Sequence, residues 1–325
     1  MSNYYDIKGQ KVQNLASDPS PVQDGQVWYN TTSNAAKFEG YVSSSSWATG
    51  GAMNTARRQV AGFGESPTTA VVVCGQNPPA LANTEEYSGT AWTNVTANPQ
   101  ARVKPFGFGT LTAGLVGGGE SGPSSGTNSG EYDGTSWTNS ATIPLTMYDS
   151  TGIGPIAAGV VVHGPQSPNT AVLLYAAGGT WTTGTSSPGF IGSGSAGGTE
   201  AAGIFTAMVP GDVTTSYEYA SGTWTAGGAL NQARNRAASG AQASQAQTLV
   251  FGGNIADATV KASTELYDGT CWSVQADMNT ARRGLGGAGS TSTSALAFAG
   301  YTGSDQAATE EFTGAGPATK TITTS

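Results

Sequence analysis

The sequence has few charged residues and few residue types that catalyse reactions or bind metals. Only 10% of its 325 residues are Asp, Glu, Lys or Arg, against about 25% in an ordinary domain. It contains one histidine, His163, and two cysteines, Cys74 and Cys271. A single histidine excludes most histidine-based metal and acid–base sites, and two cysteines in different repeats do not make a disulfide framework. We therefore expect no metal, no cofactor and no disulfide.

Positive charge and long apolar runs are scarce as well. The 13 basic residues are outnumbered by 21 acidic ones, which gives a net charge of −8 and argues against nucleic acid or an anionic membrane as a partner. No apolar stretch approaches the ~18 residues of a membrane-spanning segment, and the first residues lack the apolar core of a signal peptide. We therefore expect no membrane insertion.

Glycine and tryptophan are abundant, and the tryptophans are evenly spaced. Glycine accounts for 48 residues, roughly twice its ordinary share. Six of the seven tryptophans recur every 43 to 48 residues, and five of these follow an aromatic residue and a glycine-containing turn. The repeat tryptophans are Trp47, Trp92, Trp137, Trp181, Trp224 and Trp272. We interpret the repeat aromatics as packing residues rather than as a row on which sugars stack.

Each repeat unit is typical of four short strands. An inner strand follows an Ala-Arg pair, a second strand ends in glycine, a third carries an aromatic residue, and a fourth begins at Trp. Asp-Gly and Ser-Gly between the third and fourth strands are typical of hairpin turns, so Asp133 and Asp268 are interpreted as turn residues and not as a sialidase Asp-box. Four antiparallel strands in about 45 residues predict an all-β fold with the period of a β-propeller blade.

On these residues the sequence resembles the kelch-type propellers, which share the glycine-ended second strand, the third-strand aromatic and the fourth-strand Trp. The diglycine of that family is present at 252–253 and 117–119 and is reduced elsewhere. The copies at 53–58 and 278–283, both Met-Asn-Thr-Ala-Arg-Arg, resemble repeats in virion proteins of tailed phages of the marine and cyanobacterial type. The stretch from 15 to 34 is similar to the entry of phage fibre and adhesin proteins into their repeats. The resemblance implies a phage virion protein.

The inner strands predict a propeller of six blades. They follow Arg57, Arg102, Met147, Ile191, Arg234 and Arg282. The last unit ends at 310–314 without a Trp, whereas the first Trp-bearing strand, at 43–49, has no inner strand before it. We therefore expect this N-terminal strand to complete the sixth blade and close the ring, because an open ring leaves a sheet edge unpaired. A seven-bladed ring is the alternative, with Trp28 and Phe38 as strand aromatics and 318–324 as an added strand.

The sequence predicts three segments along the chain. An N-terminal extension or attachment segment covers 1–24, the β-propeller covers 25–316, and a C-terminal tail covers 317–325. Within the propeller, residues 25–52 hold the N-terminal strands, including the closing strand.

An arginine recurs at one position of the repeat, and an acidic residue recurs with it. The repeat arginines are Arg57, Arg102, Arg234 and Arg282, and the acids, two residues before the repeat aromatic, are Glu85, Glu265 and Glu310. Arginines converging near a propeller axis would bind a carboxylate, as the sialidase triad does. Because the units that have the acid also have the arginine, and two units lack both, we favour a structural Arg–Glu pair between inner and third strands. The second unit is the exception, with Gly130 in the acid position.

The loops between second and third strands differ in every unit, whereas the turns between third and fourth strands are nearly uniform. Divergent, longer loops are free to recognise a partner, so we predict that this face of the propeller binds; loops that diverge for lack of constraint are the alternative. The candidate contacts are Asn77, Glu120, Asn254, Asp257, Tyr301 and Asp305. Their mostly polar and acidic character predicts a hydrated, hydrogen-bonded interface.

The resemblance implies a phage virion protein, and with the features above we expect one that is not an enzyme: a tail-fibre or adhesin-type propeller that mediates host-surface recognition by its loop face. The expected partners are other virion proteins and a host surface glycan or protein, with a homo-oligomer allowed in the virion. Such a protein is made in the host cytoplasm and lies on the extracellular surface of the particle. One alternative is a non-adhesive structural or decoration component, and a less favoured one is a sialidase-like enzyme, for which the sequence supplies only scattered carboxylates.

Overall fold

The fold is built almost entirely of β-strands. The computed structural model describes residues 12–20, 26–41, 44–120, 126–164, 170–176, 178–189, 192, 194–206, 214–240, 244–255, 259–315 and 317–322. In these ranges the regular elements are 28 strands, in seven four-stranded sheets, and one short 3-10 helix at Gln245–Gln247. Within the same ranges no helix has the length and hydrophobicity that crossing a membrane requires.

The chain divides into two compact units. The smaller unit comprises Met1–Ser45 and Ala315–Ser325, and the larger unit comprises Ser46–Gly314. The smaller unit has one sheet of four strands in the order β1-β2-β3-β28, with β1 parallel to β2 and the other neighbours antiparallel. Its strands are β1 (Gln13–Leu15), β2 (Val27–Asn30), β3 (Ala35–Tyr41) and β28 (Pro317–Ile322).

The sequence predicts a propeller between residues 25 and 316, whereas the larger unit comprises Ser46–Gly314. Strands β2 and β3 pair with each other and with β28, so residues 25–45 belong to the smaller unit. For the same reason the segment after residue 316 contributes a strand. The added strand of the seven-bladed alternative is therefore present, but it lies in a sheet of the smaller unit.

The six sheets of the larger unit are antiparallel, and in the first five each strand pairs with the next along the chain. The first two sheets are β5–β8 (Ala61–Phe63, Ala70–Val73, Thr84–Tyr87, Trp92–Val95) and β9–β12 (Phe106–Thr110, Ala113–Gly117, Ser129–Tyr132, Trp137–Asn139). The next two are β13–β16 (Thr151–Ile153, Ala158–Val162, Val172–Ala176, Thr180–Thr183) and β17–β20 (Ser195–Gly198, Gly203–Thr206, Ser216–Ala220, Thr223–Ala226). The fifth is β21–β24 (Ala238–Ser239, Leu249–Phe251, Thr264–Tyr267, Trp272–Gln275). The sixth contains β25–β27 (Gly286–Thr291, Ser294–Phe298, Thr309–Thr313).

The sixth sheet is completed by a strand from the start of the larger unit. Strand β4 (Ser46–Thr49) pairs antiparallel with β27, and Trp47 stands opposite Phe312. It takes the position that β8, with Trp92, has in the first sheet. The predicted pairing of the N-terminal Trp strand with the last repeat is confirmed.

Neighbouring sheets approach closely at their first strands. The first strands contact one another in chain order, and β25 of the sixth sheet contacts β5 of the first. A Cβ atom on Gly62 of β5 would lie 2.9 Å from the carbonyl oxygen of Gly287 in β25, closer than real Cβ atoms come to other atoms. Glycine is required at such a position because the backbones leave no room for a side chain. The predicted all-β fold of four-stranded sheets is confirmed, and the arrangement is consistent with a β-propeller.

Aromatic side chains fill the space between neighbouring sheets. The indole N–H of Trp92 donates to Thr309 Oγ1 at 2.8 Å, and that of Trp47 donates to Thr264 Oγ1 at 3.0 Å, in each case in the preceding sheet. Each of these indoles is buried. Trp272 is buried as well, whereas Trp137, Trp181 and Trp224 are half-buried and pack against the core clusters. These contacts agree with the interpretation of the repeat aromatics as packing residues.

The tyrosines of the third strands also reach the preceding sheet. The hydroxyls of Tyr132 and Tyr267 each donate a 2.5 Å hydrogen bond, to Glu86 and Glu218 respectively. The acceptor is always the residue just before the aromatic of the preceding sheet. The same bond joins Tyr87 to Glu311 and Tyr175 to Glu131.

Candidate binding site on the loop face

Three of the four repeat arginines are buried and paired with the predicted acids. Arg57 Nη2 lies 2.9 Å from Glu85 Oε1, and both side chains are fully buried. Burial lowers the pKa of the Arg57 guanidinium, and Glu85 opposes that shift. The equivalent pairs are Arg234–Glu265 at 2.5 Å and Arg282–Glu310 at 3.2 Å. The predicted Arg–Glu pairs are confirmed, and these three arginines are not available to a ligand.

The same carboxylates hold the turn that precedes each arginine. Glu85 Oε2 accepts hydrogen bonds from the backbone N–H of Asn54 at 2.7 Å and from its side-chain amide at 3.1 Å. That amide also donates to the carbonyl of Trp92 at 3.0 Å. Asn231 makes the same three contacts, with Glu265 and the carbonyl of Trp272. Asn279 donates from its backbone N–H to Glu310 and from its amide to the carbonyl of Trp47. Sequence reasoning missed these asparagines, although each stands three residues before its arginine.

Three units depart from this pattern, and in one of them, the fourth, the arginine position at residue 191 lies outside the described residues. Arg102 donates to the carbonyl oxygens of Gly118 at 2.6 Å and Asn128 at 2.9 Å instead of to an acid, as the glycine at position 130 predicts. In the third unit Met147 takes the arginine position and Leu173 the acid position, and both lie in one apolar cluster. The arginine position therefore accepts either a paired charge or an apolar pair.

The segment around each repeat arginine lies against the loops that the sequence singled out. The backbone N–H of Arg57 donates to the carbonyl of Gln306 at 3.0 Å, and its carbonyl accepts from Gly300 at 2.9 Å. The following residues form antiparallel bridges with the start of the loop in their own sheet. These bridges are Arg58 with Gln76, Val103 with Glu120, Asn235 with Asn254 and Arg283 with Tyr301. We call the surface formed by these bridges and loops the loop face.

A cavity of about 430 Å3 opens on the loop face. Four cationic side chains line it, although the protein as a whole carries a net charge of −8. They are Arg58, Lys104, Arg236 and Arg283. The other lining residues are Gln59, Gln76, Val103, Glu120, Gly284 and Tyr301. Four of the 13 basic residues of the chain are therefore concentrated at one cavity.

Two of these cations are neutralised by carboxylates. Lys104 Nζ lies 3.3 Å from both Glu120 and Asp149. Burial disfavours its charge, but Asp149 and Glu120 together raise the pKa of Lys104. Arg58 Nη1 lies 2.7 Å from Asp305 Oδ1.

The other two cations have no such partner. Within the described part of the chain, no carboxylate lies within ion-pair distance of Arg236 or Arg283. The guanidinium of Arg283 lies 5.5 Å from the centre of the Tyr301 ring, and that of Arg58 lies 4.5 Å from it. One tyrosine thus positions two of the four cations through cation–π contacts.

Backbone hydrogen bonds fix the chain beneath the cavity. Gln59, Lys104 and Arg236 each have a left-handed backbone, with φ of 54°, 57° and 52°. The N–H of Lys104 donates to the carbonyl of Gln59, the N–H of Gln59 to Gly284, and the N–H of Gly284 to Arg236, at 2.7 to 3.1 Å. These bonds run from sheet to sheet, so the side chains of Lys104 and Arg236 start from fixed backbone positions.

Of the predicted contact residues, Glu120 and Tyr301 line the cavity and Asp305 holds one of its cations. The Asp305 side chain is only 11% exposed because of its ion pair with Arg58. Asn77 is exposed, and its amide donates to the carbonyl of Ala56 at 3.1 Å. Asp257 lies outside the described residues.

Asn254 is a correction to the predicted contacts. It is buried, with 5% of its surface exposed, because its backbone bridges Asn235 and its amide donates to the carbonyl of Ile255. A partner docking on the loop face does not reach this side chain as it stands.

The remaining sequence candidates have structural roles. Asp133 accepts hydrogen bonds from the backbone N–H groups of Thr135 and Ser136, and these bonds lower the pKa of its carboxyl to about 2. Cys74 and Cys271 are free, and burial raises the pKa of the Cys74 thiol to about 12. In the described ranges no group of three or more His, Cys, Asp or Glu residues is placed to hold a metal ion.

Comparison with known proteins bears on the fold alone. No family model matches the chain, and no curated protein matches it in sequence. A solved structure described as the structure of YjhT, a β-propeller-type protein, is similar to this chain with a TM-score of 0.62 and 13% sequence identity. The likeness covers 83% of this chain and 99% of that one. At this identity it supports a propeller fold and says nothing of activity.

Proposed function

We propose that the larger unit is a six-bladed, kelch-like β-propeller closed by β4, and that it is a recognition module without catalytic activity. The order of contacts between first strands, from β5 to β25 and back to β5, supports a closed ring of six blades. The hydrogen bonds of Trp92 and Tyr87 to the sixth sheet support closure as well. The likeness to kelch propellers and to phage virion proteins rests on the repeat sequence.

The observation that carries the recognition function is the cavity on the loop face. Its lining comes from four of the six sheets and includes the start of three divergent loops, at Gln76, Glu120 and Tyr301. A rigid scaffold that brings variable loops together at one cavity is the usual construction of a binding site. The ligand we propose is a group on a host surface glycan or protein.

The charges around the cavity favour binding over hydrolysis. Glu120, Asp149 and Asp305 each form an ion pair with a cation. A glycosidase needs a carboxyl group held in its protonated form beside a second carboxylate, and a neighbouring cation favours the ionised form. We therefore propose no glycan-processing reaction.

The setting we propose is the surface of a phage virion, where the protein contacts other virion proteins and the host. We assign attachment to the particle to the smaller unit, which combines residues from both ends of the chain. Immunogold labelling of intact particles tests this assignment. Label on exposed fibres supports it, and label confined to a capsid or tail tube in contact with virion proteins supports the decoration role.

The recognition function is tested by replacing the tips of two loops. Residues 77–80 and 302–305 are exchanged for Gly-Ser sequences of equal length. Gln76, Leu81, Tyr301 and Gln306 are kept because their backbones bond to neighbouring segments. A matched control replaces residues 292–293, the turn between β25 and β26 at the opposite end of the strands.

Binding of the labelled full-length proteins to host cells and to a glycan array is then measured. We expect the loop variant to lose about tenfold or more of its affinity, a loss typical of removing central contacts, while the control binds like the wild type. A folded loop variant with undiminished binding would place recognition elsewhere in the protein.

A further inference from the structure

We propose that the loop-face cavity binds an anionic group, a carboxylate or a sulfate of an acidic glycan, between Arg236 and Arg283. The inference rests on the proposed recognition function, because it names the chemical class of the ligand. It also reverses the expectation from overall charge, since an acidic protein here presents a cationic site.

The charge distribution in the cavity is the first argument. Arg58 and Lys104 have carboxylate partners, whereas Arg236 and Arg283 have none among the described residues. Both are half-buried, so their charges are less screened by solvent than those of exposed side chains. Two half-buried guanidinium groups without counter-charges in a shared cavity are best compensated by an anion from outside the chain.

The geometry of the guanidinium groups is the second argument. Arg283 is held against the face of Tyr301, with Arg58 on the same ring. A stacked guanidinium keeps the N–H groups at its edge available, and this fork matches the two oxygens of a carboxylate or sulfate. The backbone of Arg236 is anchored by the hydrogen bond from Gly284 to its carbonyl, at 2.9 Å. The guanidinium of Arg283 is therefore preorganised and the side chain of Arg236 starts from a fixed backbone position, which reduces the entropic cost of binding.

The size and remaining lining indicate a sugar rather than a bare ion. A volume of about 430 Å3 falls within the range of about 300–1,000 Å3 that small-molecule sites occupy. Gln59 and Gln76 also line the cavity, and their amides donate and accept hydrogen bonds, as ligand hydroxyl groups require. The net charge of −8 disfavours a polyanion such as nucleic acid, so we assign a ligand with isolated acidic groups.

The test measures binding of small probes to the full-length protein by isothermal titration calorimetry at low ionic strength. The probes are D-glucuronate, inorganic sulfate, uncharged D-glucose and an acidic peptide of alternating Glu and Gly. We expect glucuronate or sulfate to bind about tenfold or more tightly than glucose, because each good ionic contact contributes that much. Preference for glucuronate indicates a uronic-acid-type glycan, and preference for sulfate a sulfated one.

Two variants locate the site. Arg236→Gln and Arg283→Gln are each expected to weaken binding of the preferred anion about tenfold, whereas Lys261→Gln, which removes a cation outside the cavity lining, changes it by less than about twofold. Near-ultraviolet circular dichroism checks that each variant is folded. Addition of NaCl to the wild type is expected to weaken anion binding, and this arm needs no variant.

The double variant Arg236→Gln/Arg283→Gln is measured as well. Three results would overturn the assignment: no binding of either anion by the wild type, unchanged binding by the folded double variant, or tighter binding of the peptide than of both anions. The outcome is separable from that of the proposed function. If neither anion binds the wild type and the loop variant loses attachment to cells, the anion site is refuted and recognition by the loop face stands. If glucuronate or sulfate binds through Arg236 and Arg283 while loop replacement leaves attachment intact, the anion site stands and recognition by the loop face is refuted.

Discussion

The hydroxyl of Tyr87, in the first sheet of the larger unit, donates a 2.7 Å hydrogen bond to Glu311 in the sixth sheet. The equivalent bond recurs at three other junctions between sheets. At the junction between the fifth and sixth sheets, Phe312 replaces the tyrosine and Leu266 replaces the glutamate, so donor and acceptor are lost together. At the junction between the third and fourth sheets only the acceptor is lost, since Tyr219 faces a cluster that contains Leu174. A donor and its acceptor are therefore matched at five of the six junctions.

The exception at Tyr219 predicts an unusual response to mutation. Its hydroxyl is buried and has no acceptor in the described ranges. We expect Tyr219→Phe to leave the free energy of unfolding unchanged or to raise it by up to ~1 kcal/mol, whereas Tyr132→Phe, which deprives Glu86 of its donor, lowers it by ~1–3 kcal/mol. Urea unfolding followed by circular dichroism measures the free energy of unfolding of both variants. Equal losses of stability in the two would contradict the matching of donor and acceptor at the sheet junctions.

The buried pair of Arg57 and Glu85 is expected to be strongly coupled. Arg57→Met alone or Glu85→Leu alone leaves a buried charge unpaired and should cost ~3–5 kcal/mol. The loss of stability in the double variant should be smaller than the sum of the two single losses. The double variant introduces the Met and Leu that the third unit has at the same positions, Met147 and Leu173. A double-mutant cycle measured by chemical denaturation checks this, and strictly additive losses would show that the two side chains do not act together.

The tyrosines at the sheet junctions make stability fall at alkaline pH. Burial and a bond to a glutamate raise the pKa of Tyr87 and of Tyr267 to about 12. The folded protein thus keeps protons that the unfolded chain loses above a pH of about 10, so this contribution is intact below that pH and is lost between about 10 and 12. We expect the melting temperature to fall over this range, with tyrosinate absorbance at 295 nm appearing as the protein unfolds. Tyr267→Phe should lose less stability across the same range than the wild type does.

In the smaller unit, Asp18 organises three side chains. It accepts hydrogen bonds from Lys37 at 2.8 Å, Asn30 at 2.7 Å and the indole of Trp28 at 3.0 Å, and these bonds lower the pKa of Asp18 to about 2. Its contribution to stability is present above a pH of about 4 and is lost as the pH falls towards 2. We expect Asp18→Ala to expose sites at 28–38 to chymotrypsin while Ser46–Gly314 stays intact. Asp133→Ala, which removes a carboxylate from a turn of the larger unit, is the matched control and should leave 28–38 protected.

The repeat made much of this fold predictable, and the parts without a repeat were less so. The tryptophan at 47 has the spacing of the others, so its strand could be assigned to the last sheet. The boundary at Ser46 could not, because nothing in residues 25–45 distinguishes strands of a second unit from strands of the repeat. The repeat shows which residues occupy equivalent positions, but it does not show to which unit a strand outside the repeat belongs.

The cations of the cavity show the same limit at the level of single residues. Arg57 and Arg58 are adjacent and identical in type, yet one is fully buried against Glu85 and the other lines the cavity. The difference comes from the alternation of side chains and from the left-handed residue at position 59. Arg58 and Lys104 occupy different positions of the repeat, counted from the repeat arginine, so only the folded chain brings them together.

The pairing of β4 with β27 also sets an order of events during synthesis. A ribosome releases Ser46–Thr49 long before Thr309–Thr313, and at ordinary elongation rates the delay is about 10 to 50 s. Throughout that interval the strand that carries Trp47 has no partner, and the nascent chain exposes it to chaperones and to other growing chains on the same messenger. Slower translation anywhere between these two strands lengthens the interval, and we therefore expect it to lower the yield of native protein.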